Sequence, residues 1–132
     1  MPHAAAKRGG VSAINLFKNP NDAQTCHPGY VFFREGDPHD GMYVVLSGEV
    51  ELTMGGRKLD TVGAGGVFGE IALIEEGNRM ATAVAVTDCR FVFVDEKRFA
   101  FLVQQTPYFA IEVMRLLVAR IRKLDRELGL PI

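Results

Sequence analysis

Two charged residues in the middle of the chain can do chemistry together. Glu70 and Arg79 lie in the stretch Phe68-Gly69-Glu70-Ile71-Ala72-Leu73, which continues through the polar loop Glu75-Glu76-Gly77-Asn78 to Arg79-Met80-Ala81-Thr82. Glycine allows the backbone to come close to a ligand. A single helical turn over Ile71 to Ile74, starting near Glu70, would point unpaired N–H groups outward from its first turn, which makes an anion site. An arginine beyond a tight loop can return its guanidinium to the same place. Its planar fork of donors suits phosphate oxygens. A carboxylate beside these groups repels a phosphate unless it contacts something else, so Glu70 is best used to accept a hydrogen bond from a sugar hydroxyl. The ligand implied has a phosphate and a neighbouring hydroxyl. Taken singly, Arg79 also fits an ordinary ion-pairing arginine, and Glu70 a side chain that favours a helix N-terminus through the dipole.

Other chemistry-bearing residues read more plainly. His27, Asp37, His39 and Asp40 are metal-ligand types, but no HxH or HxxxH pair shares a strand, and Asp37-Pro38-His39-Asp40 reads as a turn. Glu75 and Glu76 read as a solvated loop. With no Ser/His/Asp or Cys/His arrangement, the expectation is a protein without catalysis and without a metal. The two cysteines, Cys26 and Cys89, form no CxxC pair and are expected to be structural. The lack of a disulfide framework or secretory signal is the pattern of a reducing, cytoplasmic setting.

The elements that must position the pair are mostly strands. The 132 residues fit one domain, and with 48% apolar residues it can bury a core. A net charge of −1 argues against nucleic acid or a bilayer as main partner. No apolar run reaches the ~18 residues of a membrane span. Strand signals fall at 30–33, 42–46, 49–53, 57–62, 81–86 and 90–94, separated by Gly and Pro turns, as in a closed or double-sheet β architecture. Residues 1–11 read as a flexible tail and Ser12 to Lys18 as a short helix. Asp95 caps a helix from about Glu96 to Gln104. Thr106-Pro107 opens a longer one that Gly129 and Pro131 stop.

At Phe68 to Thr82 the sequence resembles the cyclic nucleotide-binding domain family of the catabolite activator protein, the protein kinase A regulatory subunit and cyclic nucleotide-gated channels. Phe33-Arg34-Glu35-Gly36-Asp37 and Met42-Tyr43-Val44-Val45-Leu46-Ser47-Gly48 match upstream pieces of that family, so the resemblance runs from about Gly29 to Arg126. It implies a mainly β fold: an antiparallel, eight-stranded β-roll (jelly-roll-like) with a short N-terminal helix, a cassette helix and two C-terminal helices. It implies that Arg79 pairs with a cyclic phosphate and that Glu70 accepts from the ribose 2′-hydroxyl. Backbone N–H groups of Gly69, Ile71, Ala72 and Ala81 would complete the cradle, Phe68 and Met80 would flank it, and the last helix would close over the base. The ligand expected is cAMP. Met80 stands where a family Thr goes with cGMP preference, so cGMP is not indicated. Asn78 replaces the family's usual Pro, and the segment between Phe17 and Tyr30 is shorter than in many members.

The chain therefore reads as a regulatory sensor, with residues 12–106 as the binding roll and 107–132 as a lid and dimerisation helix. Met114, Leu117, Ile121, Leu124 and Leu128 alternate spacings of three and four, a coiled-coil seam. Val113, Leu116 and Ala110 lie off that seam and could face the roll. Two apolar faces fit a parallel homodimer. The basic residues Arg115, Arg120, Arg122, Lys123 and Arg126 complement the helix dipole without DNA contact. A downstream effector protein is the expected partner. A transcription-regulator sensor answering another signal, or none, is the second reading, and a cupin-like metal enzyme the third.

Overall fold

The computed structural model describes residues 23–70 and 77–128. The expected tail over 1–11, the helix over 12–18 and the turn over 71–74, with Ile71 and Ala72, lie outside the described residues. Among the described residues, eight strands form two antiparallel four-stranded sheets. They are β1 (Gln24–Cys26), β2 (Val31–Phe33), β3 (Gly41–Ser47), β4 (Val50–Met54), β5 (Arg57–Val62), β6 (Val67–Phe68), β7 (Thr82–Ala85) and β8 (Cys89–Asp95). One sheet has the order β1-β8-β3-β6 and the other β2-β7-β4-β5. Helices α1 (Glu96–Gln105) and α2 (Tyr108–Leu128) follow. The mainly β roll expected from the sequence is thus the fold observed.

Hydrophobic patterning explains the layers. Strand β4 has a single buried face: Val50 and Leu52 point inward while Glu51 and Thr53 do not, so its sequence alternates. Strands β3 and β8 are covered on both faces, and their sequences are continuous apolar runs. Val45, Phe68 and Cys89 pack between the sheets against Phe33, Val50, Leu52, Val62, Ala83 and Ala85. On the other face, Met42, Val44, Val67, Val92 and Val94 meet Phe109 and Val113 of α2. Phe99, Leu102 and Val103 of α1 join them, one stripe at helical spacing.

Local signals set the helix ends. The Asp95 carboxylate accepts from the Arg98 N–H at 2.8 Å, an N-cap at the expected position. Pro107 immediately precedes α2.

The face of α2 corrects one expectation. Leu117 does not lie in an outward seam; it packs against the helix–sheet core beside Leu116. The outward apolar residues are Ile111, Met114, Val118 and Ile121, each between 39% and 53% exposed. Four residues advance an α-helix about 40° past a full turn. Leu117 therefore returns to the side of Val113, and Val118 to that of Met114. Alternating spacings of three and four describe both faces, so the spacing alone could not separate them. The side chains of Leu124 and Leu128 lie outside the described set.

Met42 is fully buried at the junction of sheet and helices. Met42→Ala should cost about 2–5 kcal/mol of stability, read as a lower urea midpoint at unchanged slope.

Candidate functional site

Arg79 is held by backbone before its side chain makes any contact. Strand β2 ends in a turn in which the Arg34 N–H donates to the Asp37 carboxylate at 2.9 Å. Gly36 supplies the positive φ of +87° that this turn requires. The Gly36 N–H donates to the Arg79 carbonyl at 2.8 Å, and the Arg79 N–H donates to the Asp37 carbonyl at 2.7 Å. This reciprocal pair clamps Arg79 to the turn.

Its side chain then runs inward and is 4% exposed. Nη1 donates to the Gly69 carbonyl at 3.2 Å. Nη2 donates to the Gly41 carbonyl at 2.7 Å and to Asp40 Oδ1 at 3.1 Å. The guanidinium carbon lies 3.9 Å from the centroid of the Phe33 ring, a cation–π contact. Burial pulls the guanidinium pKa below its ordinary value, and Asp40 opposes the shift; an arginine stays charged regardless. Asp40 itself is largely exposed, its side chain at 74%.

Gly69 is required by this arrangement. Its φ is +77°, and a Cβ there would fall 2.7 Å from Arg79 Nη1. Any side chain would displace the guanidinium.

Glu70 lies on the other side of that glycine and is 3% exposed. Its partner comes from the C-terminal helix: Arg120 Nη1 donates to Glu70 Oε1 at 2.5 Å. The same guanidinium donates through Nε to Asp60 Oδ2 at 3.1 Å and through Nη2 to the Val67 carbonyl. Lys123 Nζ reaches Asp60 Oδ1 at 2.9 Å. Helix α2 is therefore fastened to β5, β6 and the Glu70 carboxylate at one point. Burial alone would raise the Asp60 carboxyl, but hydrogen bonds from Lys123 and Arg120 outweigh it and hold the carboxyl below its ordinary value.

The structure brings Arg79, Gly69 and Glu70 together as the sequence implied. Ala81 is half-buried and Met80 is 58% exposed, directly after Arg79 in the chain. Phe68 is a correction. Its side chain is fully buried and stacks on Tyr43 with ring centroids 5.0 Å apart, so it anchors the site from within and presents no surface to a ligand. Asp40, Phe33 and Gly41 around Arg79, and Arg120, Asp60 and Lys123 around Glu70, were not foreseen as site residues. Arg120 carried a signal, because it continues the inward face of Val113, Leu116 and Leu117, where a charge needs a partner. Among the described residues, no three His, Cys, Asp or Glu side chains are grouped to hold a metal ion. No described helix is long and apolar enough to cross a membrane.

Comparison with known proteins places the fold in a family. The family model described as "Cyclic nucleotide-binding domain" matches residues 23–106. The chain belongs to that family. It is 37% identical over 107 residues to the Cyclic AMP receptor protein of Thermus thermophilus, a match covering 77% of this chain and 50% of that protein. It is 41% identical over 84 residues to the cAMP-dependent protein kinase regulatory subunit of Eremothecium gossypii, covering 64% of this chain and 18% of that one. The crystal structure of Thermus thermophilus Catabolite Activator Protein matches with a TM-score of 0.73 and 32% identity, over 96% of this chain and 60% of that one. The chain thus spans half or less of the curated relatives it matches.

The Asp60 latch has a pH signature. Its folded pKa is lowered, so its contribution is complete above the unfolded value of about 3.9 and fades as pH falls through the folded value. Asp60→Asn should cost about 1–3 kcal/mol at pH 7. Urea unfolding of both proteins across the acid range should show that difference shrinking as pH drops.

Proposed function

We propose that this domain is a non-enzymatic sensor that binds cAMP, with Arg79 on the cyclic phosphate and Glu70 on the ribose 2′-hydroxyl. The observation that carries the reading is a buried cation and a buried carboxylate on either side of Gly69. Isolated charges at such depth are costly, and here each is held by partners on elements distant in the chain. Asp40 is the exchangeable partner. Its carboxylate is exposed, and a cyclic phosphate arriving at Arg79 Nη2 takes its place with the same single negative charge. Glu70 need not exchange: a carboxylate has about four acceptor positions, so Arg120 on Oε1 leaves room for a hydroxyl. Binding at Glu70 is then felt directly by α2.

Met80 supports cAMP over cGMP, since its exposed thioether offers no hydroxyl beside the phosphate. Calorimetry with cAMP, cGMP and cyclic dinucleotides tests the ligand. Arg79→Lys should weaken cAMP by about 1.5–3 kcal/mol with the fold retained by circular dichroism. Asp40→Asn should tighten cAMP a few-fold by removing the competing carboxylate. Unchanged affinity in Arg79→Lys sinks the phosphate role. Absence of heat with every nucleotide, together with iron or zinc uptake, favours the metal-enzyme reading.

The output follows α2. Its outward stripe Ile111, Met114, Val118 and Ile121 fits the same helix of a second copy, giving a parallel homodimer in the cytoplasm that an effector protein reads. Similarity to the Cyclic AMP receptor protein favours a transcription-regulator type of output as the second reading, with this domain as its sensor. Sedimentation velocity should find a dimer that Met114→Asp/Val118→Asp converts to monomer; a monomeric wild type would remove the dimer from the account.

A further inference from the structure

We infer that Cys26 and Cys89 form a dithiol that closes reversibly into an intramolecular disulfide, joining the edge strand β1 to β8. The two residues are direct partners in the antiparallel β1–β8 register. Directly opposed residues in an antiparallel pair have Cα atoms about 4.5–5.5 Å apart and side chains on one face. A disulfide needs about 4.4–6.8 Å, so the backbone already holds the required separation. Both side chains pack in the inter-sheet core, Cys26 half-buried and Cys89 buried, and both are free thiols.

The surroundings of Cys89 leave its sulfur space and only weak attachments. Its thiol donates to the Glu49 carbonyl at 3.3 Å and the Thr87 carbonyl at 3.4 Å. Gly48, at φ +94°, makes room for it, since a Cβ there would lie 2.8 Å from Sγ. Burial raises the pKa of the Cys26 thiol, and the adjoining Cys89 thiol raises it further. The Cys26 thiolate is therefore scarce and the pair reacts slowly, which suits a compartment where lasting disulfides are rare and transient ones sense oxidants.

The oxidant is a low-molecular-weight disulfide. The more accessible Cys26, as thiolate, attacks one of its sulfurs; that S–S bond breaks and the expelled thiolate takes up a proton. Cys89, having given its proton to solvent, attacks the Cys26 sulfur of the mixed disulfide. The intramolecular S–S bond forms and the second small thiol leaves, protonated. Two electrons pass from the cysteine pair to the oxidant.

These are the chain's two cysteines, so the test is unambiguous. The protein is incubated with glutathione disulfide and followed by intact mass and thiol titration. The expected product is a single chain lighter by two hydrogen atoms, not covalently joined to another, with both thiols lost and both restored by dithiothreitol. Cys89→Ala should stop at a glutathione adduct on Cys26, because the second attack is missing. Cys26→Ser should give no intramolecular product. Retention of both thiols in the wild type would overturn the inference. So would a lasting glutathione adduct on the wild type, or a disulfide between two chains. The inference is independent of the ligand reading, and cAMP binding of the reduced protein is unaffected by its failure.

Discussion

The buried guanidinium of Arg79 is the constraint around which the roll is arranged. A cation at 4% exposure loses its water, and the loss is repaid only if every direction it points in offers an acceptor or an aromatic face. Gly69 and Gly41 offer carbonyls, Asp40 a carboxylate, and Phe33 its ring. These residues come from β2, from Asp40-Gly41 at the start of β3, and from the residue after β6, so one side chain ties three segments together. The same need explains a residue that makes no bond through a side chain: position 69 has to be glycine because the guanidinium occupies the place of a Cβ. Asp40 is the one exposed group among these partners.

A second ion-pair system ties the site to the C-terminal helix. Arg120 bridges Glu70 and Asp60 and also caps the Val67 carbonyl, while Lys123 shares Asp60. Glu70 follows Gly69 directly in the chain, and the Gly69 carbonyl accepts from Arg79. Arg79 and α2 are therefore joined by a short chain of contacts. Only a ligand with different affinities for two positions of α2 would shift that helix.

Much of this was legible in the sequence, and the exceptions have physical causes. The alternation of Val50-Glu51-Leu52-Thr53 announced a half-buried strand, and Asp95 announced a helix start through its own cap. Strands β1 and β6, of three and two residues, are too short for any period and exist because β8 and β3 pair with them. Glu70 and Arg79 were legible because Gly and polar loop residues surround them locally. Asp40 and Arg120 were not, because they lie 39 and 50 positions from the residues they pair with, and only the fold brings them there. The Cys26–Cys89 pairing was hidden for the same reason: two unrelated positions became opposite each other once the register of β1 on β8 was set.

The central claim is that a cyclic phosphate replaces Asp40 on Arg79 while Glu70 keeps Arg120 and gains a ribose hydroxyl. A crystal structure of the protein grown with cAMP tests it most directly. The expected complex has Arg79 Nη2 on a phosphate oxygen, Asp40 turned out to solvent, and the 2′-hydroxyl on the free oxygen of Glu70. A complex in which Arg79 still holds Asp40, with the nucleotide absent or bound elsewhere, would contradict it.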